Sequence, residues 1–249
     1  MSILGIPNEV LLLIAEYLST RDLFSIFLTC RRHNSLLQPC FSQLALQWAA
    51  KHGKESLAVQ AIWSGADVNK FCGSRVSPTP LHTAARQNHP NIICMLVARG
   101  ATIDSRAYNS QTPLYMAASL GHTAAVRVLL ELGADMMCTD KYGDPPAFCA
   151  WNPDCMKAFI DAGFDLTTKG GNDRTILHSA ARFGPKVLEY LLRQEGTAEL
   201  IDVQDSGGKT PIHSAVGGDN RALLQRRQEL KDNDRRESNY RCSHCSNEE

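Results

Sequence analysis

Thr79-Pro80-Leu81-His82 returns as Thr112-Pro113-Leu114-Tyr115, Pro145-Pro146-Ala147-Phe148, Thr175-Ile176-Leu177-His178 and Thr210-Pro211-Ile212-His213, with starts 33, 33, 30 and 35 residues apart. A fainter copy, Leu44-Ala45-Leu46-Gln47, stands 35 residues before the first. Most copies are followed by a pair of small residues: Ala49-Ala50, Ala84-Ala85, Ala117-Ala118 and Ala180-Ala181. A second landmark closes the units as Gly65-Ala66-Asp67, Gly100-Ala101-Thr102, Gly133-Ala134-Asp135 and Gly163-Phe164-Asp165. Self-similarity at a period of this size signals stacked supersecondary units, so the fold is decided here.

The residue types explain the pattern. Thr79 and Thr112 sit where a hydroxyl can cap a helix, and Pro80 and Pro113 fall in the first turn, where a missing N–H is harmless. Leu81 and Leu114 are core positions, and the alanines let two helices approach closely. The second helix of each unit has helical apolar spacing, as in Ile92, Ile93, Leu96 and Val97, or Val126, Val128, Leu129 and Leu130. Gly65, Gly100, Gly133 and Gly163 follow these helices, where a left-handed residue ends the helix. Tyr108-Asn109-Ser110-Gln111 and Lys141-Tyr142-Gly143-Asp144 carry turn residues between units.

The tetrad, the alanine pair and the Gly-Ala-Asp ending at this period resemble the ankyrin repeat over about residues 41–218. The resemblance implies an all-α solenoid of about six two-helix units, whose stability comes from stacking because a single pair cannot bury its own apolar face. Two departures are expected to weaken the stack locally. The fourth unit is short, with Asn152-Pro153 breaking its first helix, and the last unit loses the pattern after Gly218. Arg221 to Arg227 reads as a polar-faced closing helix, followed by a mixed-charge stretch, so 219–249 is assigned as a polar, flexible tail.

Residues 1–40 do not fit the repeat. Val10, Leu11, Ile14, Tyr17 and Leu18 share one helical face, Leu12 and Leu13 lie off it, and Asp22-Leu23 and Cys30-Arg31 open further short helices. So small a segment cannot shelter these side chains alone. Either the first repeat or another protein must cover them. The stretch resembles the F-box in Pro7, Glu9, Val10, Leu11, Ile14, Asp22-Leu23 and Cys30-Arg31, with Ile6 in place of the family's leucine. That resemblance implies that Pro7, Leu11, Ile14, Leu18 and Leu23 dock a Skp-type adaptor, and through it a cullin-RING ligase. The alternative is an apolar cap for the solenoid.

Composition bounds the rest. In 249 residues, 43% are hydrophobic and 21% charged, and 26 basic residues balance 26 acidic ones. A neutral chain lacks the field that holds a phosphate backbone, so no nucleic-acid partner is expected. No apolar run reaches the ~18 residues of a membrane span. Leu11 to Ala15 imitates a signal-peptide core, but Glu9 and Glu16 flank it and no positive charge precedes it, so the protein is expected to be cytoplasmic or nuclear. Nine cysteines, mostly in apolar helical patterns, read as small hydrophobes rather than a disulfide framework.

Chemical motifs give little. Gly207-Gly208-Lys209-Thr210 ends like a phosphate-binding loop, but Val203 stands where the first glycine must be. His82, His178 and His213 share a position that Tyr115 and Phe148 occupy elsewhere; phenylalanine cannot replace a metal ligand, so these are core histidines. Cys242-Ser243-His244-Cys245 offers three crowded ligands without a second pair, so neither a metal nor a cofactor is expected. No catalytic constellation is found, and the chain is expected not to be an enzyme. In the ankyrin resemblance, loop tips and the outward side of the first helices contact the partner. The tip residues are Phe71, Arg75, Arg106, Tyr108, Lys141, Tyr142, Lys169 and Asn172, of the aromatic and cationic types that anchor interfaces, with the longer 69–78 segment ranked first. The expected function is substrate recognition for an SCF-type ubiquitin ligase, or else a stand-alone ankyrin scaffold or inhibitor.

Overall fold

The computed structural model describes residues 38–70, 78–215 and 222–229, which form helices, turns and loops with no strand among them. The F-box-like residues, Phe71, Arg75 and the Cys242/Cys245 pair lie outside the described residues. The chain divides into two compact units after Lys141.

The first unit holds three helix pairs: α1 (Gln38–His52) with α2 (Glu55–Trp63), α3 (Pro80–Arg86) with α4 (Pro90–Ala98), and α5 (Pro113–Ser119) with α6 (Thr123–Glu131). Within it α1 packs on α3 and α3 on α5, while α2 packs on α4 and α4 on α6. First helices form one layer and second helices the other. The alanine pairs explain the close approach: Ala49, Ala50, Ala84, Ala85, Ala117 and Ala118 are all fully buried. Leu81, Leu96, Leu114 and Leu129 fill the space between the layers.

The tetrad does the capping expected of it. The Thr112 hydroxyl accepts from the Tyr115 N–H at 3.2 Å, and Pro113 opens α5. Thr112→Val removes that acceptor from a buried site, and urea unfolding should show a loss of about 1 kcal/mol. The helix ends are equally regular. Gly100 takes φ +87°, its N–H donates to the Val97 carbonyl, and the Ala101 N–H reaches back to Leu96 at 2.9 Å. This paired closure needs a left-handed residue, and the next residue, Ala101, turns into the core. The same bonds close α2 and α6.

The second unit contains a short 3-10 turn (Pro146–Cys149), α7 (Pro153–Asp161), α8 (Ile176–Phe183), α9 (Pro185–Leu191) and α10 (Pro211–Ser214), followed by α11 over 222–229. Here α8 packs on α10 and on the 3-10 turn, and α7 on α9. The fourth repeat corrects the reading of Asn152-Pro153. This dipeptide does not interrupt a first helix; it begins the second. The Asn152 side chain accepts from the Asp154 N–H at 2.9 Å and Pro153 occupies the first turn. The three residues missing from this repeat come out of its first helix, which is reduced to the four-residue turn.

Two other expectations need adjustment, and the closing helix expected over 221–227 is found at 222–229. His213 keeps its bonds to Thr210 but is exposed. Cys94 is exposed on α4, whereas Cys155 is buried. Part of the tail is ordered helix: Leu223 is buried and the Arg227 Nε lies 3.0 Å from an Asp202 carboxylate oxygen.

Candidate protein-binding face

Between helix pairs the chain forms short hairpins, and most of the expected contact residues sit on them. Asn109 and Ser110 take φ +58° and +60°, and Asn172 and Asp173 take +57° and +56°. Two successive left-handed residues make a tight two-residue turn, a conformation asparagine tolerates because its short side chain bonds locally. The turns are closed by Ala107 N–H to Gln111 O at 2.9 Å and by Gly170 N–H to Arg174 O at 2.8 Å.

Successive hairpins are then stitched together. The Lys141 N–H donates to the Asn109 carbonyl at 2.9 Å, and the Ser206 N–H to the Asn172 carbonyl at 2.9 Å. In the first unit this brings the tips bearing Arg106, Tyr108 and Lys141 side by side. In the second, the Tyr142 carbonyl lies against Gly171, beside Asn172 and two residues from Lys169. Tyr108 and Tyr142 are 64% and 66% exposed. Lys141, Lys169 and Asn172 are also exposed. Arg106 is tied down through a 3.0 Å bond from Nη1 to the Thr139 carbonyl.

Several acidic residues of the hairpins are engaged internally. Asp104 accepts from the Asp135 N–H at 3.0 Å, and Asp135 accepts from the Met137 N–H at 2.8 Å. The Thr167 hydroxyl and N–H hold Asp165 below the usual carboxylate range. The Lys209 N–H does the same for Asp205, aided by Gly207. Asp144 receives the Gly171 N–H at 3.0 Å and pairs with the Arg174 guanidinium. Burial, with the Asp135 carboxylate beside it, pushes the Cys138 thiol up, which makes it a poor nucleophile.

Several contributors carry no repeat signature. Gln43 clamps Asp67 through two 3.0 Å bonds, and Asn69 bridges to the next repeat through Thr102 N–H at 2.7 Å and Gly100 O at 3.0 Å. The Tyr115 hydroxyl donates to a buried Asp140 carboxylate at 3.0 Å. Trp63, 75% exposed, carries the Arg99 guanidinium 5.5 Å above its ring. Its only signal in the sequence is a tryptophan at the end of an apolar helix. Among the described residues no group of three or more His, Cys, Asp or Glu side chains is placed to hold a metal ion. No helix among them is long and apolar enough to cross a membrane.

Comparison with known proteins matches the same segments. The family model for "Ankyrin repeats (3 copies)" matches residues 11–107, 46–140 and 146–234. E3 ubiquitin-protein ligase KEG of Arabidopsis thaliana is 26% identical over 152 residues, covering 59% of this chain and 9% of that protein. The B-cell lymphoma 3 protein homolog of Mus musculus is 28% identical over 158 residues, covering 59% and 35%. Probable E3 ubiquitin-protein ligase XBOS32 of Oryza sativa subsp. japonica is 28% identical over 142 residues, covering 55% and 28%. The matched segments thus span about a third or less of these relatives. With family matches that follow the capped helix pairs along most of its length, the chain belongs to the ankyrin-repeat family, whose fold serves protein–protein interaction.

Proposed function

We propose that this chain is the substrate-recognition subunit of an SCF-type ubiquitin ligase. The observation that carries the reading is the F-box-like series Pro7, Glu9, Val10, Leu11, Ile14 and Asp22-Leu23 immediately ahead of an interaction array. Pro7, Leu11, Ile14, Leu18 and Leu23 dock the Skp-type adaptor, which recruits the cullin-RING enzyme. The hairpin tips, with Tyr108 and Tyr142 projecting into solvent, hold the target. The chain itself breaks no bond and works in the cytoplasm or nucleus. Two matched relatives bearing E3 ligase names support a link to ubiquitin transfer.

One observation favours a second reading, a stand-alone scaffold whose first helices merely cap the array. The earliest ankyrin match begins at residue 11, among the adaptor-docking side chains. Capture separates the two. The full chain mixed with a Skp-type adaptor should form a complex that survives gel filtration. Replacing Leu11 and Ile14 with aspartate should abolish it while the thermal unfolding of the ankyrin array is unchanged. A wild-type chain that retains no adaptor, or a double variant that retains it fully, overturns the ligase reading.

A further inference from the structure

The fourth tetrad position joins one repeat to the next, and this chain fills it differently each time. In the first unit the Gln47 amide donates to the Thr83 hydroxyl at 2.6 Å, His82 Nε2 reaches the Gln111 carbonyl at 3.1 Å, and Tyr115 bonds to Asp140. In the second, Phe148 is a buried apolar side chain and His178 Nε2 meets the Lys209 carbonyl at 2.9 Å. We propose that His82 and His178 make acid-opened joints, and that the glutamine and phenylalanine positions, which carry no titratable group, hold their repeats together without responding to acid.

The geometry assigns the protons. A carbonyl only accepts, so Nε2 of His82 carries the hydrogen. Its Nδ1 accepts from the Thr79 N–H at 3.3 Å, with the Thr79 hydroxyl at 2.8 Å. The ring is therefore neutral, with both nitrogens committed. A second proton on Nδ1 would face the Thr79 N–H. The hydroxyl can turn a lone pair toward it, but the backbone N–H cannot turn. His178 repeats the arrangement with Thr175 N–H at 3.1 Å and the hydroxyl at 2.9 Å.

The surroundings set the size of each response. His82 is fully buried; besides Thr79, the carbonyls of Gln111 and Ser105 face it, and these only partly offset burial, which lowers its pKa to about 4. His178 is also lowered by burial, with the Lys209 carbonyl and Asp205 carboxylate favouring the proton and Arg174 opposing it. The sign follows from linkage: the opened state takes up a proton near pH 6.5 and the closed state resists it until about pH 4. Stability is therefore complete above pH 6.5 and is lost as the pH falls between those values. For His82 the opening equilibrium should rise about 20-fold from pH 7 to pH 5.

Hydrogen exchange of the full chain, corrected for intrinsic rates, tests this. Protection over α3 and α4 should fall by that factor between pH 7 and pH 5, and more than over α6. His82→Gln places in this joint the residue found at Gln47, and should remove the pH response whatever its effect on baseline protection. Equal responses in wild type and H82Q, or none in wild type, overturn the proposal. Ring nitrogen NMR of the wild-type chain gives an independent reading: a His82 imidazole that titrates near pH 6.5 while folded also overturns it.

Discussion

Replacing Phe159 with alanine should destabilise the 142–249 unit by about 3–5 kcal/mol, which calorimetry or urea unfolding would register. Phe159 lies on α7 and is fully buried, the largest such side chain among the described residues. Its ring meets Phe164 edge-on, with centroids 6.2 Å apart and planes at 67°. The Phe164 N–H returns to the Phe159 carbonyl at 2.9 Å, so the two rings are coupled through the helix ending as well as by packing. Truncation removes the apolar surface and leaves a cavity in a repeat whose first helix is already only a four-residue turn. A loss below about 1 kcal/mol would mean that the fourth repeat contributes little to the core of its unit.

Gly171→Ala should destabilise the same unit by about 3 kcal/mol, for a different reason. A Cβ on Gly171 would lie 1.8 Å from the Tyr142 carbonyl oxygen and 2.9 Å from its carbon. Both atoms are backbone, so the two hairpins must separate. Separation pulls the Gly171 N–H from Asp144 and disturbs the largely buried Asp144–Arg174 pair. Gly184→Ala is the control: it has φ −139°, and an added Cβ meets nothing closer than 3.5 Å. The Gly171 variant should unfold at clearly lower urea than the Gly184 variant. Equal midpoints would contradict the close approach of these hairpins.

Much of the candidate face could be read without coordinates. Asn109-Ser110 and the loop carrying Asn172 have turn composition, and the tips do project Tyr108, Tyr142, Lys141 and Lys169 into solvent. Asn172 is also structural, since its left-handed backbone turns its carbonyl to Ser206. Arg106 similarly serves the neighbouring hairpin through Thr139. A sequence pattern shows that a residue lies on a tip, but not whether its polar atoms are already used by the adjacent repeat. Asn152-Pro153 is ambiguous in the sequence because Asn-Pro serves equally to stop one helix or start another. Only the position of Pro153 in the first turn of α7 decides between them.

By itself the sequence determined the repeating unit: its period, its threonine caps, its alanine contacts and its glycine endings. These depend on atoms within one short segment, so local residue types suffice. The tertiary structure alone decided how repeats are joined. Gln47 with Thr83, Tyr115 with Asp140, and His82 with the Gln111 carbonyl are partners 25 to 36 residues apart. Their selection depends on the rise and rotation between stacked helix pairs, and no local pattern encodes that distance.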